Sequence, residues 1–159
     1  MQPPRTLTQT LLTNPLASLA PAVSMGGPPP PGPQPPSGGF AEELLRLVNA
    51  FRQQNGRCAL SLDGRLNAAA QVHSNDMARN NFMSHTGSDG SSPWQRIERA
   101  GYRMGRAENV AMDTRGAQAA FNAWVNSQGH RENMLIGDIV HMGAACAEGR
   151  SVYCTQVFG

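Results

Sequence analysis

Apolar residues recur at the three- and four-residue spacing of helix faces through much of the chain after Phe40. One such stripe contains a histidine, His73, which should point inward with its apolar neighbours and act as a hydrogen-bonded packing residue. Serine, proline and glutamine at positions 92, 93 and 95 form the start signal of another helix. The pattern predicts four helices, at Ala41 to Gln54, Asp63 to Met77, Ser92 to Ala100 and Gly116 to Gln128.

The last predicted helix is followed by a cluster of ionisable groups. Gly129 is placed to end this helix in the left-handed conformation, so 130–135 should add at most one further turn. Alternating and β-rich segments predict strands at Ala107 to Ala111, Ile139 to Ala147 and Val152 to Phe158. The predicted fold is therefore α+β: an α-β-α sandwich with a three-stranded antiparallel sheet flanked by about four helices.

The first 39 residues differ in character from the rest of the chain. Eleven of the twelve prolines precede Ser37, and Arg5 is the only charged residue before Glu42. Residues 1–39 are thus predicted to be a disordered proline-rich arm and 40–159 the folded domain. A modest apolar segment from Leu11 to Ala20, with a small-residue ending at Ala20-Pro21-Ala22, gives the outline of a signal peptide. Asn14 and Pro15 interrupt the segment, so secretion by it stays open.

The charge pattern excludes two classes of partner. The net charge of +2 comes from thirteen arginines and no lysine, interspersed with acidic residues and without a patch of one sign. Nucleic acids and anionic membrane surfaces require clustered cations, so neither is expected to bind. No stretch of the sequence is long and apolar enough to be a transmembrane segment.

Three cysteines give a partial indication of the redox environment. Cys146 and Cys154 bracket a predicted hairpin turn near Gly149, which would bring them within reach of a cross-strand disulfide. Cys58 is left without a partner. Three reduced cysteines are the alternative, although the hairpin favours the disulfide and an oxidising compartment.

The candidates for metal binding or acid–base catalysis are His85, Glu108 and His130. Each lies just outside or at the end of a predicted element. Two histidines and a carboxylate in one cleft can bind zinc or perform acid–base catalysis near neutral pH. The sequence has no zinc-protease, paired-cysteine or nucleophile-elbow motif. The residues alone therefore favour three separate surface or capping roles over a shared site.

Several motifs in order from Phe40 to Gly159 resemble the CAP superfamily of cysteine-rich secretory, antigen 5 and pathogenesis-related 1 proteins, in its short bacterial and lower-eukaryotic form. They are AAQVHSNDM from Ala69, MSH from Met83, ENVA from Glu108, WVNSQGHRENML from Trp124 and YCTQVF from Tyr153. In that family two histidines and two acidic residues line a central cleft. The resemblance assigns three of these positions to His85, Glu108 and His130, and it supports the Cys146–Cys154 disulfide.

Two residues depart from the family pattern. Ser127 stands where larger members place the second glutamate, and Glu132 is the nearby carboxylate that would have to replace it. Cys154 stands where short members usually have tryptophan. An incomplete set of acidic residues leaves fewer groups to share acid and base roles, which counts against catalysis.

The resulting interpretation is a secreted, extracellular CAP-domain protein that acts as a non-catalytic binding module. The resemblance implies a cleft able to bind Zn²⁺ or another divalent cation through His85 and His130. It also implies a sterol or fatty-acid ligand, or an extracellular protein or cell-wall partner in defence or host interaction. The alternatives are a metal-dependent hydrolase with Glu108 as base, and a structural wall-associated domain.

Overall fold

The computed structural model describes residues 39–159, and the predicted arm, apart from Gly39, lies outside them. The described chain forms five helices and four strands. In chain order these are α1 (Phe40–Gln54), β1 (Ser61–Leu62), α2 (Gly64–Asn80), α3 (Pro93–Arg99), β2 (Ala107–Met112), α4 (Ala117–Val125), α5 (Gln128–Met134), β3 (His141–Glu148) and β4 (Val152–Phe158).

The sheet has four strands in the order β1-β3-β4-β2, so the prediction of three antiparallel strands was wrong. The β2–β4 and β3–β4 pairs are antiparallel, but β1 pairs with β3 in parallel and makes the sheet mixed. Two residues of β1, Ser61 and Leu62, pair with His141 and Met142. A strand this short has no alternating pattern that a sequence could reveal, and local signals predict only an extended connection there.

The fifth helix corrects the prediction around Gly129. This glycine does not end α4, which stops at Val125; it lies within α5, which begins at Gln128. Ser127 is the N-cap of α5, so His130 occupies the third position of a new helix. The histidine therefore belongs to a packed helical turn rather than to a loop after a helix.

Helices cover both faces of the sheet and define two main hydrophobic clusters. The larger cluster joins α1, α4 and α5 to one face, with Trp124 fully buried at its centre. On the other face, α2 and α3 pack through Leu66, Ala70 and Ile97 against Ala145 and Val157, a second cluster. The α-β-α sandwich is thus the observed architecture.

Close contact fixes α2 on the sheet. A Cβ added at Gly143 of β3 would lie 2.2 Å from a backbone atom of Leu66, so only glycine allows this approach. Ser74 Oγ of α2 also donates to Ala145 O at 3.0 Å and shares a hydrogen bond with the Thr155 hydroxyl at 2.8 Å. These contacts fix the position of α2 relative to β3 and β4.

The C-terminal end of α5 is held by a buried arginine. Arg52 of α1 donates through Nη1 to the carbonyl oxygens of Met134 at 2.8 Å and Ile136 at 2.9 Å. Its Nε donates to Cys58 O at 2.8 Å. Because the last carbonyls of a helix lack partners within it, these bonds stabilise the end of α5.

The predicted disulfide is present between Cys146 of β3 and Cys154 of β4, which are directly opposite in the strand register. Cys58 is exposed and free. In the part of the chain from 39 to 159, no helix combines the length and apolar character needed to cross a membrane.

Candidate functional site

Glu108 of β2 is the centre of a buried polar cluster. Its carboxylate is 1% exposed and lies on the sheet face that α2 and α3 cover, the same side as Val110. Oε1 accepts a hydrogen bond from His85 Nδ1 at 2.9 Å, and Oε2 accepts one from Arg96 Nη2 at 2.8 Å. A buried carboxylate persists as an anion when cations and donors surround it in this way.

Arg96 connects the carboxylate to the loop that carries His85. Its Nη2 also donates to His85 O at 2.9 Å, and its Nη1 donates to Ser91 O at 2.8 Å. Helix α3 presents Arg96 inward because the capping box of Ser92 and Gln95 and the proline between them fix where this helix starts. One guanidinium thus holds the carboxylate and both ends of the loop.

No sequence pattern indicated that Arg96 belongs to this cluster. Arg99 lies one turn further along α3, but it is exposed and pairs with Asp89 at 3.1 Å. Composition and spacing do not reveal which of the two arginines is buried. The difference arises from the orientation of α3 against β2, which only the tertiary structure supplies.

His73 of α2 completes this side of the cluster and is fully buried, as the apolar stripe predicted. Its Nε2 donates to Ser84 O at 2.7 Å and lies 4.0 Å from Glu108 Oε1. Burial, the largest influence, lowers the pKa of His73, so the imidazole is neutral near pH 7. His73 therefore packs beside the carboxylate and supports the position of the His85 loop.

His130 of α5 is 2% exposed, and within residues 39–159 neither of its ring nitrogens has a hydrogen-bond partner. Burial, with a further contribution from the charge of His85, lowers its pKa to about 4. The ring is thus neutral at physiological pH and carries one lone pair. Buried polar atoms without partners are uncommon in proteins, so this imidazole is a candidate ligand-binding group.

A network of buried amides fixes His130 relative to β2. Asn109 Nδ2 donates to His130 O at 3.2 Å and to Gln156 Oε1 at 3.0 Å. From α5, Asn133 Nδ2 donates to Asn109 Oδ1 at 2.9 Å. Glu108 and Asn109 are consecutive residues of β2. Glu108 contacts the loop that carries His85, and Asn109 contacts α5.

The structure joins some of the predicted site residues and separates others. His85 and Glu108 are in direct contact, and His130 lies close enough to His85 for the two rings to interact electrostatically. Ser127 stands one turn before His130, and its Oγ is buried without a partner in the described chain. Glu132 does not supply the missing carboxylate, because it is exposed and accepts a hydrogen bond from Gln128 at 2.9 Å.

The donor set is suited to weak or open metal coordination rather than to a closed site. No group of three or more histidine, cysteine, aspartate or glutamate side chains between positions 39 and 159 is arranged to hold a metal ion. The imidazoles of His85 and His130 provide two nitrogen donors. Glu108 orients the His85 ring by accepting from Nδ1, which is the usual arrangement behind a histidine that binds a metal through Nε2.

A family model for the cysteine-rich secretory protein family, CAP, matches residues 45–158. This range contains all nine secondary-structure elements except the first five residues of α1. The chain belongs to the CAP family, as the sequence motifs indicate.

Comparison with a curated relative supports the assignment. YkwD of Bacillus subtilis (strain 168) is 31% identical over 121 residues, which cover 76% of this chain and 47% of YkwD. The chain thus spans about half the length of this relative. The remainder of YkwD lies outside the match.

Solved structures show the same fold. An extracellular protein of Bacillus anthracis str. Ames that contains an SCP domain matches with a TM-score of 0.64 and 26% identity, covering 80% of this chain and 44% of that one. An outer surface protein of Borrelia burgdorferi matches with a TM-score of 0.63 and 21% identity, covering 74% of this chain and 90% of that protein.

Proposed function

We propose that this CAP domain is a secreted, non-catalytic binding module whose cleft binds a divalent metal ion through His85 and His130. The observation that carries the proposal is the buried imidazole of His130, whose two nitrogens lack partners within the described chain. A neutral, oriented imidazole already desolvated by the fold loses little hydration when it binds a metal. The orienting bond from His85 to Glu108 supports the second ligand.

The non-catalytic part of the proposal rests on Glu108. Both carboxylate oxygens are already engaged, by His85 and by Arg96, in a site only 1% exposed. A general base must reach the proton that it removes, either directly or through one water molecule. Glu108 therefore acts as a fixed anion that orients His85.

The extracellular part of the proposal rests on the Cys146–Cys154 disulfide. Disulfides form and persist in oxidising compartments such as the extracellular space. The similar SCP-domain protein of Bacillus anthracis is itself extracellular, which is consistent with this location. We propose that the module binds a sterol, a fatty acid or an extracellular partner, as the family resemblance implies.

Zinc titration by calorimetry at pH 7 tests the metal site. We expect one site per chain, with affinity at least about tenfold weaker in His85→Ala and in His130→Ala, because each removes one of two protein ligands. His141→Ala is the matched control, since His141 bonds to Tyr102 Oη at 3.0 Å, outside the cluster. Equal affinity in wild type and the double histidine variant would refute the metal site.

The metal-dependent hydrolase is the second candidate, favoured by the proximity of two histidines and a carboxylate. Zinc-loaded protein incubated with a fluorogenic peptide library distinguishes it from a binding module. We expect no turnover above a protein-free control. A hydrolysis that Glu108→Gln abolishes by orders of magnitude, while fold and zinc affinity persist, would establish Glu108 as a base and contradict our proposal.

A further inference from the structure

The disulfide between Cys146 and Cys154 lies where it can open without breaking the strand pairing. Opposite residues of an antiparallel pair alternate between those that exchange two backbone hydrogen bonds and those that exchange none. His141 and Gly159 exchange both bonds, at 2.8 and 3.1 Å. The cysteines lie an odd number of residues further along each strand and therefore exchange none. Loss of the S–S bond would thus leave the hydrogen bonds between β3 and β4 in place.

The two sulfur atoms of this disulfide have different surroundings. Cys146 is partly exposed and lies near the end of β3. Cys154 is 0% exposed and belongs to the hydrophobic cluster around Trp124. The course of thiol–disulfide exchange depends on which sulfur an incoming thiolate can reach. The arrangement therefore directs attack to Cys146 and makes Cys154 the leaving group.

Thr114, which follows β2 and is 4% exposed, contacts the buried sulfur with two groups. Its Oγ1 donates to Cys154 Sγ at 3.4 Å, and its carbonyl oxygen lies 3.6 Å from the same atom. A thiolate accepts from a hydroxyl more strongly than a neutral sulfur does, because it carries a charge. A disulfide sulfur has no proton to donate, so the carbonyl gains a partner only when Cys154 is a thiol. Thr114 is thus positioned to stabilise both protonation states of a released Cys154.

We propose that the Cys146–Cys154 disulfide is an exchange site for low-molecular-weight thiols. The incoming thiolate attacks Cys146 Sγ and forms a new S–S bond with it, while the bond to Cys154 breaks. The electron pair of the broken bond stays on Cys154 Sγ, which accepts from Thr114 Oγ1 and then takes a proton from the solvent. A second thiolate displaces the first from Cys146, so that two thiols are oxidised to their disulfide and the protein disulfide is reduced. This site does not depend on the proposed metal cleft.

Reaction of the full chain with reduced glutathione tests the proposal. The Cys58→Ala background removes the one cysteine outside the disulfide. Acid stops the exchange by protonating the thiolates, and digestion at low pH with mass spectrometry then locates the bound glutathione. We expect the adduct on Cys146 to be at least about tenfold more abundant than on Cys154.

The kinetics distinguish exchange in the folded protein from reduction after unfolding. We expect a rate proportional to the glutathione concentration and unchanged by urea below the unfolding transition. Equal adducts on the two cysteines, or a rate that rises with urea in proportion to the unfolded fraction, would overturn the proposal.

Variants of Thr114 test the stabilisation of the leaving sulfur. Thr114→Val removes the hydroxyl and should slow the reaction about three- to tenfold, because the Cys154 thiolate loses its hydrogen bond. Thr114→Ser keeps the hydroxyl and should react at nearly the wild-type rate. Thr86→Val, which changes an exposed threonine elsewhere, is the matched control. A Thr114→Val protein that is folded and reacts as fast as wild type would contradict the assignment of Cys154 as the stabilised leaving group.

Discussion

His130 shows how a single side chain can link the fold to pH. Its pKa of about 4 in the folded protein is below the value of 6.5 for a free histidine, because burial penalises the charged ring. Between these two values the unfolded chain binds a proton that the folded chain does not. The contribution of the neutral His130 side chain to the free energy of unfolding is therefore fully present above pH 6.5. It is lost as the pH falls from 6.5 to about 4.

The pH dependence of metal-free protein, measured by urea unfolding in the presence of a chelator, should reflect this residue. From pH 7 to pH 4.5 we expect wild type to lose about 2 to 3 kcal/mol through His130. His130→Gln should lose correspondingly less over the same range, because glutamine does not titrate. Parallel losses in both proteins would show that His130 does not carry the shifted pKa.

Glu108 is the second residue whose environment makes a definite prediction. Glu108→Gln leaves one oxygen to accept from His85 or Arg96 and turns an N–H₂ group toward the other donor. Breaking a buried ion pair in this way should cost about 3 kcal/mol. Glu108→Ala should cost more, because it also leaves a cavity.

Thermal or urea unfolding of the two Glu108 variants measures this order, with zinc titration as the second readout. Glu98→Gln is the matched control, since Glu98 lies on α3 and is exposed. We expect stability and zinc affinity to fall together in the Glu108 variants. A Glu108→Gln protein as stable as wild type would contradict the role of a structural anion.

At the scale of elements, the β3–β4 hairpin is closed twice, by strand pairing and by the disulfide between Cys146 and Cys154. The crosslink joins residues eight positions apart, so it restricts a short loop in the unfolded chain. By loop-entropy reasoning it contributes about 2 kcal/mol. Converting both cysteines to alanine should lower the free energy of unfolding by that amount.

Urea unfolding of the double variant Cys146→Ala, Cys154→Ala measures this contribution. Cys58→Ala is the control, because Cys58 is exposed and unbonded, and should leave stability unchanged. Non-reducing peptide mapping should recover only the Cys146–Cys154 link. A crosslinked peptide that contains Cys58 would overturn this assignment.

Element boundaries show where local patterns were insufficient. The capping box at Ser92, with Pro93 at the first helical position, marked the start of α3 correctly, since its signals act over four residues. The break between α4 and α5 was missed. Gly129 resembles a helix terminator, but Arg52 and the Asn109–Asn133 amide network hold the segment around it as a separate helix.

At the scale of the whole molecule, the described residues 39–159 form two main hydrophobic clusters, and α1 covers one face of the sheet from its first turn. Because the proline-rich sequence of 1–38 offers few apolar residues to bury, it should be dispensable for folding.

Deletion of residues 1–38 tests this independence. We expect the melting temperature to change by less than about 2 °C, equivalent to a few tenths of a kcal/mol for a domain of this size. Calorimetry of the full chain and of 39–159 under the same buffer makes the comparison. A decrease of many degrees would mean that the arm packs on the domain.

The sequence alone determined the family, the α+β class, the disulfide and the inward direction of His73. These follow from ordered motifs, from periodicity and from a hairpin short enough to be recognised locally. It also named His85, Glu108 and His130 as candidates, but only the family resemblance placed them in one cleft, because spacing could not show that they meet.

Only the tertiary structure decided the fourth strand, the separate helix α5 and the place of Arg96. Each depends on contacts between distant parts of the chain: β1 exists through pairing with β3, and Arg96 is buried because α3 lies against β2. The same packing removes water from His130 and so lowers its pKa. Burial and ion pairing arise from three-dimensional proximity, which a local pattern of residues does not encode.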